Sequence, residues 1–279
     1  MLLDAVLCEA ARRLELVEVQ GATIDDLAAR HSISPAFLPA ILDVLADAPA
    51  PAALTCEADA AATLLVDVIR RGTPLTTEEL AAHPEARLWG LPPDLASSVA
   101  QAEEVAALAA RHFATPGVFL DVGCGAGVCS AALFRATPNA AGILVDTASA
   151  IRQVWRLLAE YRMRFKLVAG DVRAVTIKHP LRVALVVNVL HTLGDEAPSV
   201  VAAAARHLEP GGTLVISGFT PQSSRGRRFA LVTTLLSSTP LPVPDADDLR
   251  HWFDAAGLAD PTTVESRLAG YVHTVARRP

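Results

Sequence analysis

At 279 residues the chain has room for about two ordinary domains, and it can bury a core without disulfide or metal staples. Hydrophobic residues at 52% and charged residues at 19% exclude disorder and polar repeats. A net charge of −6, from 24 Lys+Arg against 30 Asp+Glu, argues against a nucleic-acid partner held by bulk charge.

The N-terminal MLLDAVLCEA has no basic leader and carries Asp4 inside its apolar run, so no signal peptide is expected. Residues 2 to 113 read as helical, rich in Ala and Leu, with only a short wing around Ala53–Ala60 to interrupt them. Thr23 followed by Asp26 forms a capping-box start for a helix over Ile24–His31, and Pro35 opens a second over Pro35–Ala46. This is a helix-turn-helix pattern. Between Ser34 and Ala48 it carries no Lys, Arg, Asn or Gln, whereas Asp43 and Asp47 would repel phosphates. A packing or dimerisation module, winged-helix-like, is therefore favoured over a DNA reader. A DNA-binding regulator that senses a metabolite is the alternative. Domain boundaries are expected at 1–95 and 96–279.

From Gly117 short β-branched runs alternate with amphipathic helices. The runs are Val118–Val122, Gly142–Asp146, Phe165–Ala169, Val183–Leu190 and Thr213–Ser217, and a hairpin of Thr262–Glu265 with Tyr271–Ala276 closes the chain. Alternation of this kind predicts an α/β fold with a Rossmann-like, doubly wound sheet and an antiparallel last strand. The apolar run Val183–Leu190, broken by Asn188, is far short of the roughly 20 residues a membrane span needs. Cys8, Cys56, Cys124 and Cys129 at irregular spacings read as reduced thiols of a cytoplasmic protein, with no zinc site.

Asp121-Val122-Gly123-Cys124-Gly125-Ala126-Gly127 ends the first strand and opens a helix. Glycine serves there where the chain turns sharply and a ligand approaches the backbone. A dinucleotide fingerprint wants G-x-G-x-x-G, but position 128 is Val, so the spacing is G-x-G-x-G. Asp146, nineteen residues past Gly127, ends the second strand, where a carboxylate can accept from both hydroxyls of a ribose. Asp171 follows the third strand.

DVGCGAG, LVD and AGDV resemble the S-adenosylmethionine (SAM) motifs of class I methyltransferases. Val189-Leu190-His191 with Asp195-Glu196, Leu208-Glu209-Pro210-Gly211-Gly212 and Asp248–Leu258 extend the resemblance to the small-molecule O-methyltransferases, the plant phenolic and acetylserotonin type, including bacterial natural-product enzymes. The resemblance implies SAM as cofactor, with Asp121, Gly123, Gly125 and Gly127 at its methionine moiety, Asp146 at the ribose, and Asp171 with Val172 at the adenine. It implies His191 as general base toward the hydroxyl of a small specialised metabolite, and a homodimer through the N-terminal domain. N-methylation, or a repurposed SAM-binding enzyme such as a cyclase, is the alternative within the fold. Two departures stand out: the family's His-Asp-Trp reads His191-Thr192-Leu193, and its strand-end Glu gives way to Ile216-Ser217-Gly218.

Asn188, polar inside an apolar strand, and Phe113, just ahead of the first strand, are candidate substrate contacts. Arg225, Arg227 and Arg228 are read as a solvated loop or an anion-binding lid. Trp155 and Trp252 are expected in the core.

Overall fold

The computed structural model describes residues 2–16, 23–33, 56–73, 95–113, 116–223, 243–268 and 270–279, with positions 35, 38, 41–42, 75, 226–227 and 230–231 between them. The chain divides into two compact units: Met1–Asp94 with Pro221–Pro242, and Leu95–Thr220 with Val243–Pro279. Residues 221–242, which the sequence grouped with the second domain, thus cluster with the first.

In the first unit lie helices α1 (Leu2–Arg13), α2 (Ile24–His31) and α3 (Cys56–Arg71). Thr23 caps α2, and its side chain and that of Asp26 satisfy each other's backbone N–H groups. Leu14, Leu27, Leu65 and Ile69 are fully buried in the shared core. One polar cluster ties α1 to α3. Glu9 accepts from Arg12 and Arg13, which hold its carboxyl down at about 2, and Arg13 reaches on to Asp59 and, at 2.6 Å, to Thr63. The expected wing is not found at Cys56–Ala60, which is already helix α3. Of the second helix of the helix-turn-helix pattern, only positions 35, 38, 41 and 42 lie among the described residues, Leu38 and Ile41 being buried. Arg225 and Arg228 lie outside the described residues.

The second unit is built on helix α4 (Leu95–Ala110) and a seven-stranded sheet in the order β3-β2-β1-β4-β5-β7-β6. The strands are β1 (Val118–Val122), β2 (Ala141–Asp146), β3 (Phe165–Ala169), β4 (Leu181–Val187), β5 (Leu208–Phe219), β6 (Ala259–Glu265) and β7 (Tyr271–Arg277). β1 through β5 pair in parallel, while β7 runs antiparallel between β5 and β6. The crossovers carry α5 (Val128–Ala136), α6 (Ala148–Leu157), α7 (Ala197–Ala205) and α8 (Ala246–Ala255). Strand alternation sorts the core into two layers. Phe119, Val183, Leu185 and Val215 pack with α4 and α5, while Leu120, Ala184, Val186, Leu214 and Ile216 pack with α7 and α8. Arg164 closes the far end of α5, its guanidinium donating to the carbonyls of Phe134, Thr137 and Ala140.

Two expectations change. β4 stops at Val187 rather than Leu190: Asn188 turns to φ +56°, a conformation Asn tolerates better than β-branched residues, and Leu190–Thr192 tightens into a 3-10 turn. Trp155 is half exposed, edging Phe165 with ring centroids 5.3 Å apart, because β3 is a sheet edge that leaves α6 only partly covered.

Candidate functional site

The parallel strands bring the end of β1 between the ends of β2 and β4, and the glycine loop fills that position. Gly123 (φ +66°), Gly125 (φ +55°) and Gly127 (φ +87°) all occupy the left-handed region. A Cβ on Gly123 would stand 2.3 Å from Val189 Cγ2, so this glycine lets the loop lie against the turn after β4. A Cβ on Gly125 would meet nothing within 4 Å, which leaves its backbone open to a ligand. Gly127 is the N-cap of α5, and its own N–H donates to the Cys124 carbonyl at 2.8 Å.

The three acids part company. Asp146 takes the Gly125 N–H on Oδ2 at 2.7 Å and the Thr147 N–H on Oδ1 at 2.6 Å, and remains half-buried at the lip of the loop. A carboxylate there has lone pairs left for a ribose diol. Asp171 is exposed and forked by Arg173, which lowers its pKa, and Arg173 also reaches Glu196 at 2.9 Å. Val172 beside it is buried, so a ligand would meet its backbone rather than its side chain.

Asp121 lies deeper than the other two acids. Alternation turns it toward α5, where it is 1% exposed and accepts the Ser130 hydroxyl at 2.6 Å. Burial, against the Ser130 hydrogen bond and with the nearby Asp146 charge, pushes it up to about 7. It lies beneath the loop, tied to the first turn of α5 through Ser130.

His191 sits in the 3-10 turn, 4% exposed, its ring at 65° to Phe219 with centroids 5.9 Å apart. Burial brings its pKa down to about 4, so the imidazole is neutral at pH 7. It lines a cleft of about 360 Å³, solvent mouth included, with Gly218, Phe219, Leu249 and Val272. The cleft lies on the α8 side of the sheet.

A family model for a methyltransferase domain matches residues 97–262. The chain belongs to the methyltransferase-domain family. Over 99 residues it is 31% identical to a ubiquinone biosynthesis O-methyltransferase of Hydrogenovibrio crunogenus, a stretch covering 35% of this chain and 41% of that one. The chain thus spans about two fifths of the length of that curated relative. Among solved structures, the mitomycin 7-O-methyltransferase is similar with a TM-score of 0.63 at 21% identity, over 99% of this chain and 94% of that one. Human N-acetylserotonin methyltransferase, solved with SAM, gives 0.57 at 16%, over 99% and 93%. At those identities the likeness is one of fold, and the fold is that of SAM-dependent methyltransferases.

SAM fits this chain on structural grounds: an open Gly125 backbone, a second Cβ-free position with nothing within 4 Å at Gly170, and the Asp146 carboxylate between them in sequence. Among the described residues no group of three or more His, Cys, Asp or Glu could hold a metal ion. No described helix is long and apolar enough to cross a membrane.

Phe113 lies apart from these residues. α4 leads directly into β1, so the end of α4 must lie at the amino edge of the sheet. A Cβ on Gly117 would meet Phe113 Cε1 at 3.4 Å and Arg182 Cγ at 2.5 Å, both at that edge, across the sheet from the glycine loop. The residues of α4 that do reach the carboxyl edge come earlier in the helix. Gln101 pairs with Asn188, and Glu104 with His273. Sequence reading missed both, because polar residues on an Ala-rich helix carry no motif and their partners are distant in sequence.

Proposed function

We propose that this protein transfers a methyl group from SAM to a hydroxyl of a small specialised metabolite. The observation that carries the reading is the open glycine loop with Asp146 at its lip. The loop from Gly123 to Gly127 would cradle the methionine moiety, Asp146 would accept from the ribose hydroxyls, and Asp171 with the Val172 backbone would border the adenine. Asn188, expected from the sequence at the substrate, is not among the residues lining the His191 cleft and would face the methyl donor instead, since its neighbour Val189 abuts Gly123. When bound, SAM supplies an already activated sulfonium methyl, so the chain's main task is alignment of the nucleophile. His191, neutral at pH 7 and lining the cleft beside β5, would take the hydroxyl proton. Its burial makes it a weak base, which limits how much it contributes beyond alignment. The N-terminal unit would serve as the winged-helix-like dimerisation domain, and the protein would work in the cytoplasm.

The test is product analysis by mass spectrometry on wild type and His191→Ala with SAM and small phenols. S-adenosylhomocysteine is expected, with turnover about 10²-fold lower in the variant and SAM affinity unchanged. Full turnover in the variant would point to an amine acceptor, and SAM consumed without S-adenosylhomocysteine would point to other chemistry on the same fold.

A further inference from the structure

On the sheet face opposite the His191 cleft, five polar side chains from four elements form one continuous chain. Register places Ser217 of β5 opposite His273 of β7, and both face α4. His273 Nε2 lies 2.9 Å from Glu104 Oε2, and its Nδ1 lies 2.9 Å from Ser217 Oγ. Gln101 Nε2 donates to Ser217 Oγ at 2.8 Å and to Asn188 Oδ1 at 3.2 Å, while Asn188 Nδ2 donates to Gln101 Oε1 at 2.8 Å. Gln101, Ser217 and His273 are all buried.

One end of this chain sets the direction of the rest. Glu104 already accepts from the Ser266 hydroxyl at 2.7 Å and from the Arg267 N–H at 3.3 Å, and a carboxylate only accepts. His273 must therefore give Glu104 its Nε2–H, which in the neutral ring leaves Nδ1 as the acceptor of the Ser217 O–H. Ser217 then has lone pairs for the Gln101 amide N–H. The Gln101 carbonyl in turn can accept only from the Asn188 amide nitrogen. Neither amide can flip without facing donor to donor.

The outcome is a fixed Asn188 amide with one N–H and one oxygen lone pair uncommitted. It stands at the carboxyl end of β4. Since Val122 pairs with Val186, Asn188 lies level with loop residue Cys124, and its neighbour Val189 abuts Gly123. A donor beside an acceptor suits the zwitterionic amino-acid end of SAM, with carboxylate to the N–H and ammonium to the oxygen. The strand-end Glu that the sequence lacks is in this way replaced by a carboxylate that acts from α4 through three side chains.

We infer that Gln101 is a positioning residue for the methyl-donor site, locking the Asn188 amide toward SAM and itself locked by Glu104 through His273 and Ser217. This rests on the SAM-binding reading above. Two measurements on the full chain test it. Calorimetry with SAM should show Gln101→Leu and Asn188→Gly each weakening binding about tenfold, and the double variant little worse than either single one. Glycine suits the φ at 188, so that variant is unstrained. Unchanged affinity in Gln101→Leu, or losses that multiply in the double variant, would overturn the inference. Histidine ¹⁵N NMR of the wild type without ligand should find the His273 proton on Nε2. A proton on Nδ1 alone would break the donor chain and overturn it even if the variants fail to fold. A wild type that takes up no SAM would defeat the functional reading and the positioning role with it, while the tautomer would still decide whether the relay exists.

Discussion

The β1–β2 half and the β4–β5–β7 half of the sheet's carboxyl edge hold polar groups over the same apolar core by different means. In the first half the work is done by backbone and single carboxylates. Gly125 gives its N–H to Asp146, and Asp121 takes one hydroxyl beneath the loop. In the second half a polar network spans α4, β4, β5 and β7, joining residues as far apart in sequence as Glu104 and His273. His191 is buried behind it, lining the cleft with Phe219 and Leu249. A loop made of backbone must stay open to receive a ligand, whereas a side chain such as Asn188 can be aimed only if other side chains hold it.

The sharpest contrast is between two buried titratable groups, Asp121 and His191, which pull stability in opposite directions. Asp121, raised to about 7, favours its protonated form when folded. Its contribution is fully present below the ordinary carboxyl range and is lost as pH rises through about 7, a change on the order of 4 kcal/mol. Asp121→Asn should remove that loss, so thermal melts at pH 8 should show the variant more stable than wild type. A less stable variant at pH 8 would mean the carboxylate is ionised and needed.

His191, lowered to about 4, favours its neutral form. Its contribution is present above about 6.5 and is lost as pH falls toward 4, on the order of 3 kcal/mol. In wild type the two effects partly cancel between pH 4 and 6.5. Denaturant titrations of His191→Gln should therefore show less acid destabilisation than wild type, and an unchanged pH profile would place His191 in contact with solvent.

Two glycines sharpen the account of the loop. Gly123→Ala combines a left-handed residue with a 2.3 Å clash against Val189 and should cost about 3 kcal/mol. Gly125→Ala has open space around it and should cost only the backbone strain, about 1–2 kcal/mol. Equal losses in equilibrium unfolding would contradict the loop's packing against the turn after β4.

Legibility followed the same division. The glycine loop, Asp146 and the strands from Val118 onward could be read because each is a short, contiguous signal with period-two alternation or paired glycines. β4 read three residues too long because nothing in the run Val187-Asn188-Val189 announces a left-handed Asn. The depth of Asp121 could not be read, because a motif gives position, not the face to which a side chain turns. Phe113 was misplaced by closeness in sequence to β1, although a helix entering a parallel strand ends at the edge away from the ligand. The Gln101–Glu104 set was invisible, since its partners lie 87 to 169 residues away.

The central claim is that Asp146 and the glycine loop form the SAM site. The most direct test is calorimetric titration of SAM, with NAD in parallel, into wild type and Asp146→Ala. Wild type should bind SAM and not NAD, and Asp146→Ala should bind it about 10²-fold more weakly, since charged acceptors to the ribose hydroxyls are lost. Unchanged SAM affinity in Asp146→Ala, or a wild type that prefers NAD, would contradict it.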